Sequence, residues 1–332
     1  MPKTYNNLWN KFISFDNLFE AFQKVKKGKS KHPLTLKYEW NLFSNLYNLQ
    51  KCLDGNAWIP RKMHKFYVYD PKKRLISAPY YEDRIVHHSL NNIIEPLFER
   101  KFIFNSYACR IGKGTTNCSY RLRHYINEYN TDELYFLKAD IHHYFESINH
   151  DILFNELKRT IVDKKILEIN RKIIYMSGYI ERGIPIGTLT SQLYANIYLN
   201  KLDHYIKDNL KVHSYVRYMD DFVILSESKD YLKELFLKIK LYVENNLKLQ
   251  LNHRTQINHI KNGIDFVGYR HFKHYVLPRK RTMKNARKML EHCEERTFKE
   301  NQEKIASFYG YSKHCNCYNS VQKMKNIYIR FK

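Results

Sequence analysis

Residues 214–226 read SYVRYMDDFVILS, a run in which β-branched and aromatic residues flank two adjacent carboxylates. The pattern predicts a strand over 215–218, a tight turn carrying Asp220 and Asp221, and a return strand over 222–226. Two acids at the tip of an apolar hairpin repel one another once their flanks are buried. A divalent cation that prefers carboxylate oxygens, Mg²⁺ or Mn²⁺, relieves that repulsion. The plain alternative is a solvated hairpin tip, where aspartate is common because it bonds its own backbone. The remainder of the chain decides between the two.

The 332 residues are enough for a sizeable core and two or three subdomains, and a hydrophobic fraction of 43% suits a folded protein. A formal net charge of +24 exceeds what solubility requires and points to a polyanionic partner. No apolar run reaches the length of a membrane span, and MPKTYNNLWNKF at the start lacks a signal-peptide core, so a cytoplasmic protein without membrane contact is expected. The six cysteines form no CxxC pair and are expected as free thiols. His314-Cys315-Asn316-Cys317, the one dense cluster, lacks the second ligand pair of a zinc finger. Tyrosines interleaved with lysines suit stacking on bases while neutralising phosphates, although an AT-rich coding composition enriches the same residues.

Upstream of the acid pair, residues 1–60 read as helical. Leu18, Phe19, Phe22 and Val25 form one apolar stripe, and Leu42, Phe43, Leu46, Leu49 and Leu53 form a second, closed by Gly55. Lys65–Ala78, KFYVYDPKKRLISA, predicts a hairpin turning at 70–73 with Lys72, Lys73 and Arg74 at its tip, either a solvated end or a grip on a triphosphate. A helix over 83–99 follows, Arg84 near its start and Ile85, Leu90, Ile93, Ile94 and Leu97 inward. YACRIGKGTTNC at 107–118 lacks the GxxxxGK[ST] spacing, which excludes a P-loop; before a helix over 117–129, its basic turn is either a template-backbone contact or an ordinary loop. LYFLKADI at 134–141 predicts a strand ending in Asp140, a helix cap or a third acid of the site.

Downstream of Asp140, GIPIGTLTSQLYANIYLN at 183–200 reads as a loop and then a helix capped near Thr188 or Thr190. Leu189, Leu193, Ile197 and Leu202 face inward, and Gly187 permits close backbone approach. An amphipathic helix over 229–246 precedes GIDFVGY at 263–269. The tail carries Arg279-Lys280-Arg281, Lys284, Arg287 and Lys288 beside a thin stripe of Met283, Ala286 and Leu290, and roughly sixty residues after the GIDFVGY segment are too few for a further domain of usual size.

Tyr218-Met219-Asp220-Asp221 between two apolar strands resembles the catalytic hairpin of reverse transcriptases, and the motifs between Lys65 and Tyr269 follow that family's order. Asp140-Ile141-x-x-Tyr144-Phe145 resembles its first catalytic-aspartate motif. The resemblance implies that Asp140, Asp220 and Asp221 are catalytic and hold metal together with the Ile141 backbone. Arg74 with Leu75-Ile76 resembles the arginine-containing motif of a fingers hairpin. Lys72, Arg74, Arg84, Phe145, Ile186, Gly187, Gln192 and Met219 are thereby implied at the nucleotide, with Phe145 under the sugar. Residues 263–269 resemble the primer grip, implying Phe266, Gly268 and Tyr269. Most members carry Gln-Gly and Ser-Pro where this chain has Ile186-Gly187 and Ser191-Gln192, a departure that resembles enzymes of diversity-generating retroelements and some bacterial relatives. Where a lysine often protonates the pyrophosphate this chain has His253-Arg254. Arginine, with a pKa above about 12, is a poor proton donor, so His253 is the candidate general acid, a surface histidine being the alternative.

The fold so implied is α+β, a right-hand polymerase with an antiparallel-sheet palm, fingers and a short helical thumb. Its parts would be N-terminal helices and fingers over 1–132, palm over 133–272 with a fingers-side insertion at about 155–182, and a basic thumb over 273–332. The implied activity is RNA-directed DNA polymerisation by two Mg²⁺ or Mn²⁺ ions about 3.5–4 Å apart. A structured template RNA, dNTPs, the cDNA product and a small basic accessory protein of the retroelement would be its partners, and its fidelity would be low. Two alternatives stand beside it. One is an antiphage-defence reverse transcriptase copying a non-coding RNA; the other is a non-catalytic RNA-binding protein with a relict palm, disfavoured because all three acids are present.

Overall fold

The computed structural model describes residues 3–69, 72–176, 178, 181–292 and 296–323. Asp70 and Pro71 of the expected hairpin turn therefore lie outside the described residues, as do 177, 179 and 180 of the expected insertion and 293–295 and 324–332 of the expected thumb.

Four helices open the chain: α1 (Trp9–Ile13), α2 (Phe15–Lys26), α3 (Pro33–Trp40) and α4 (Leu42–Asp54). Then come β1 (His64–Val68), β2 (Arg74–Ala78), α5 (Tyr81–Glu99), α6 (Thr115–Glu128), β3 (Tyr135–Asp140), α7 (Tyr144–Ser147), α8 (His150–Lys158), α9 (Lys164–Tyr175) and α10 (Leu189–His204). The hairpin β4 (Tyr215–Tyr218) and β5 (Asp221–Ser226) leads into α11 (Lys229–Leu247). After it follow β6 (Gln256–His259), β7 (Ile264–Phe266), β8 (Tyr269–His271), β9 (Val276–Pro278), α12 (Lys280–Glu291) and α13 (Phe298–Ser312). The chain divides into two compact units. The first comprises Met1–Ile103, Ile141–Tyr205 and Lys240–Leu251; the second comprises Phe104–Asp140, Ile206–Ile239 and Asn252–Lys332.

In the first unit the helices start where side chains satisfy free amides. Ser14 accepts from the Asn17 amide at the head of α2, and Asp163 accepts from Lys165 and Ile166 at the head of α9. The other oxygen of Asp163 also takes the amides of Leu8 and Trp9, which ties the N-terminal segment to α9. Leu18, Phe22, Val25, Leu46, Leu49 and Leu53 are buried as their spacing predicts. Phe19 and Phe43, expected on the same stripes, are exposed because each sits at the edge of an apolar arc that covers little more than 100° of its helix. The strands β1 and β2 form the expected antiparallel hairpin, Val68 opposite Arg74.

The second unit is built on an antiparallel sheet in the order β4-β5-β3-β6. Phe136, Val216, Val223 and Leu225 project from one face of that sheet into a core shared with Tyr107, Cys118, Leu122, Tyr125 and Ile126 from α6 and the segment before it, and with Ile264 and Phe266 of β7. A three-stranded sheet, β7-β8-β9, adds a strand that periodicity did not predict; three residues are too few to show alternation. Buried His271 fastens β8 to α6, its Nε2 lying 2.8 Å from Ser119 Oγ. In α12, Ala286 and Leu290 are buried against Ile305 and Phe308 of α13, which makes this end of the chain helical as expected.

Candidate active site

The register of three strands assembles the acids. Tyr218 pairs with Asp221, leaving Met219 and Asp220 as a two-residue turn, and Asp221 pairs in turn with Asp140 on β3. Directly opposed residues share a face with Cβ atoms about 4.5–5.5 Å apart, so Asp140 and Asp221 are neighbours and Asp220 adjoins them in sequence. One detail differs from the expected turn: Asp221 is the first residue of β5 rather than part of the tip. A two-residue loop needs a positive φ, which Met219 supplies at +57°, and the ladder claims the next residue.

Burial, with Asp140 and Asp220 adding repulsion, pushes the Asp221 pKa up to about 7 against the opposing pull of Lys138. The Lys138 ammonium lies 3.4 Å from Asp221 Oδ2, whereas Oδ1 is buried without a hydrogen-bond partner. Asp140 is held at two points by Asn252, whose amide donates to the Asp140 carbonyl at 2.7 Å and whose side chain donates to Oδ2 at 3.2 Å. Beneath the turn, fully buried Arg217 donates from Nη1 to the Met219 carbonyl at 2.7 Å and from Nη2 to Ser106 Oγ at 3.2 Å. Sequence reasoning missed Lys138, Arg217 and Asn252. The first had a local signal, since a residue two before Asp140 in a strand shares its face. Arg217 had a weaker one, a lone cation inside an apolar strand. Asn252 had none.

These residues suit a divalent cation. An orphaned carboxylate oxygen, raised in pKa beside two further carboxylates, is what an absent positive charge leaves behind. Among the described residues no group of three or more His, Cys, Asp or Glu side chains is arranged to hold a metal ion by itself.

The other expected site residues fall in both units. In the first, Lys72 and Arg74 are exposed at the hairpin end, and Arg84 is anchored through Nε to the Pro79 carbonyl at 2.9 Å. Phe145, partly buried in α7, accepts at its carbonyl from Ile184 at 2.8 Å. The Ile186 carbonyl accepts from Ser77 of β2 at 2.8 Å, joining the 183–188 loop to the hairpin. Gly187 must be glycine there: at φ +118° an added Cβ would sit 2.8 Å from Ile76 Cγ2 and 3.0 Å from the Ser77 carbonyl. Thr188 caps α10 as expected, accepting from Ser191, and Gln192 is exposed. In the second unit His253 lies exposed in a turn. Phe266 and Tyr269 are buried, and Gly268, in the turn of the β7-β8 hairpin, is partly buried against the Tyr311 ring.

An antiparallel sheet brings three aspartates together within an α+β fold, and comparison with known proteins gives the class. Residues 61–271 match the model of the reverse transcriptase (RNA-dependent DNA polymerase) family, and the chain belongs to that family. It is 25% identical over 249 residues to Protein YkfC of Escherichia coli, covering 61% of this chain and 65% of that one. Likewise it is 23% identical over 295 residues to the group II intron-encoded protein LtrA of Lactococcus lactis, covering 67% of this chain and 48% of that one. The fold is similar to that of telomerase from Candida albicans, solved with a fragment of telomeric RNA: TM-score 0.51 at 14% identity, over 82% of this chain and 58% of that one. This chain thus spans less than two thirds of the length of these proteins. Among the described residues no helix is long and apolar enough to cross a membrane.

Proposed function

We propose that this chain is an RNA-directed DNA polymerase that copies a structured RNA into cDNA from dNTPs. The observation that carries the reading is the register that sets Asp140 opposite Asp221, with Asp220 in the adjoining turn, in a member of the reverse transcriptase family. Asp140, Asp220 and Asp221 are the carboxylates we assign to two Mg²⁺ or Mn²⁺ ions, with the Ile141 carbonyl as a further oxygen. Bound ions would activate the primer 3′ hydroxyl and neutralise the leaving pyrophosphate. The protein's own groups prepare that site. Lys138 offsets part of the acid repulsion at Asp221, Asn252 fixes the rotation of Asp140, and Arg217 holds the turn. Lys72, Arg74 and Arg84 are assigned to the triphosphate, Phe145 to the sugar, and His253 to protonation of the leaving group.

Asp220→Asn and Asp140→Asn are expected to abolish nucleotide incorporation while RNA affinity stays near that of the parent, because affinity comes from Lys and Arg contacts to phosphate. Near-normal primer extension by either variant would remove the metal assignment.

Within this activity, Ile186 and Ser191-Gln192 favour an enzyme of the diversity-generating type, working with a small basic accessory protein. Glutamine at position 186 would offer an amide to the nascent pair; isoleucine offers none, a difference of about 0.5–1.5 kcal/mol, or up to roughly tenfold in discrimination. Sequencing cDNA made by the parent and by Ile186→Gln on one adenine-containing RNA tests this. Errors concentrated at template adenines in the parent and reduced in the variant are expected; equal spectra would remove the fidelity role, and a uniformly accurate parent would favour the antiphage reading.

A further inference from the structure

Asn252 opens the turn that leads into β6. That strand pairs Gln256 with Lys138, so the residues just before it come level with Asp140, two positions further along β3. The run Asn252-His253-Arg254-Thr255 folds on its own polar groups. The Asn252 carbonyl accepts from the Thr255 amide at 2.9 Å and from Thr255 Oγ1 at 2.7 Å, and its side-chain Oδ1 accepts from the Arg254 amide at 3.1 Å. The last of these is the bond by which asparagine shapes a turn of its own backbone. It also fixes which way the side-chain amide points. A backbone N–H only donates, so Oδ1 faces Arg254, and Nδ2 is left to donate to Asp140 Oδ2 at 3.2 Å.

One amide therefore holds two things at once. Its nitrogen end sets the rotation of the Asp140 carboxylate, and its oxygen end shapes the turn in which His253 and Arg254 stand exposed. Chemistry leaves few substitutes. Aspartate would keep the acceptor but set a like charge against Asp140. Serine would keep an acceptor for the turn, yet its side chain is one bond shorter and its hydroxyl is already engaged at Arg254. Alanine offers neither end.

We infer that Asn252 is a positioning residue that fixes the Asp140 carboxylate and, with the same group, holds His253 where it can protonate the leaving pyrophosphate. The inference rests on the polymerase reading and on His253 as the leaving-group acid. In that step the primer 3′ oxygen bonds to the α-phosphorus, and the bond from that phosphorus to the bridging oxygen breaks. Its electron pair stays on the pyrophosphate, and the His253 imidazolium supplies the proton. A turn free to swing would aim that proton poorly even with every acid in place.

Two readouts on the full chain separate the ends of the amide. Mn²⁺ binding without nucleic acid or dNTP, followed by electron paramagnetic resonance, reads Asp140. The ratio of single-turnover rates with the βγ-difluoromethylene and βγ-methylene analogues of one dNTP reads proton donation, since a step without its acid depends more steeply on leaving-group basicity. The backbone bond from the Asn252 amide to the Asp140 carbonyl, 2.7 Å, is common to every variant and keeps the turn beside β3. Asn252→Ala is expected to weaken Mn²⁺ binding roughly two- to tenfold, the cost of ordering a freed side chain. It should also raise the analogue ratio at least about threefold. Asn252→Ser should weaken Mn²⁺ binding alike but keep the parent's ratio, because its hydroxyl still accepts from the Arg254 amide. His253→Gln should raise the ratio with Mn²⁺ affinity unchanged, and Asn252→Ala/His253→Gln should raise it no further than either change alone. The inference is overturned by parent-like Mn²⁺ affinity in Asn252→Ser, by a ratio that His253→Gln leaves unmoved, or by a double variant whose ratio is the product of the two singles. In each of those cases dNTP incorporation by the parent keeps the polymerase reading. A parent that extends no primer would overturn both.

Discussion

Replacing Arg217 with methionine is expected to slow catalysis far more than it weakens substrate binding. Its guanidinium is fully buried, and its forks reach the Met219 carbonyl and Ser106 Oγ. Met219 sits at φ +57°, a region that residues with side chains seldom occupy, so the contact holds a turn that the backbone alone would relax. Methionine keeps much of the length and removes both donors. Two charge-assisted hydrogen bonds of about 1.5–3 kcal/mol each are lost, and relief of the buried cation's desolvation returns part of that. A net loss of roughly 1–3 kcal/mol follows, a fall in melting temperature of about 1–4 °C for a chain of this length. Catalysis feels the geometry more steeply, because a carboxylate misplaced by about 1 Å can lower the rate on the order of a hundredfold. Primer extension at saturating template, with kcat and KM for dNTP measured separately, reads this directly. The expected result for Arg217→Met is a kcat reduced at least about tenfold with KM within about threefold. Arg217→Lys should recover part of the rate, since an ammonium reaches one acceptor but lacks the fork. A variant that melts lower but keeps the parent's kcat would show that Arg217 supports the sheet and does not position the turn.

Gly187→Ala is expected to cut extension sharply, because its Cβ would meet Ile76 and the Ser77 carbonyl in a left-handed backbone; a parent-like rate with dNTPs would show that the loop can yield. Phe145→Ala should admit rNTPs if the ring lies beside the sugar. As the ring is only partly buried, the stability loss should stay below the about 3–5 kcal/mol of a core phenylalanine, and unchanged sugar preference in soluble variant would leave Phe145 a packing residue. Acid should destabilise the fold through its buried histidines: burial lowers His87 to about 3 and His271 to about 4. Both bind fewer protons folded than unfolded, so their stabilisation is full above pH 6.5, is lost progressively as pH falls from there, and is gone below the folded values. At pH 4.5 the loss is about 2–3 kcal/mol for each. Urea midpoints at pH 7 and pH 4.5 for the parent and His271→Gln check this, and identical pH slopes would refute the contribution of His271.

The parts of this molecule that could be read in the sequence are those in which neighbours along the chain decide the outcome. Alternation around Asp220 and Asp221 marks β4 and β5, and Thr188 marks the head of α10, because period and capping act over a few residues. The parts that escaped reading depend on which strand lies beside which. Lys138 meets Asp221 only because β3 pairs with β5, and Asn252 reaches Asp140 only because the chain returns along β3 into β6. No local pattern sets those registers. Burial at the β7-β8 hairpin is set the same way: Phe266 enters a core shared with α6 and strands β3, β4 and β5, and Tyr269 stacks on Tyr311 of α13, neither of which the GIDFVGY spacing shows. The same rule, apolar inward, fails at α3. It counts only the core that a chain makes with itself. Leu34, Leu36 and Trp40 stay outside although Thr35 is buried beside them. Helical period gives Leu34, Leu36 and Trp40 no common face, position 34 lying roughly 160° around the axis from 36, so no spacing rule says which side of so short a helix turns inward.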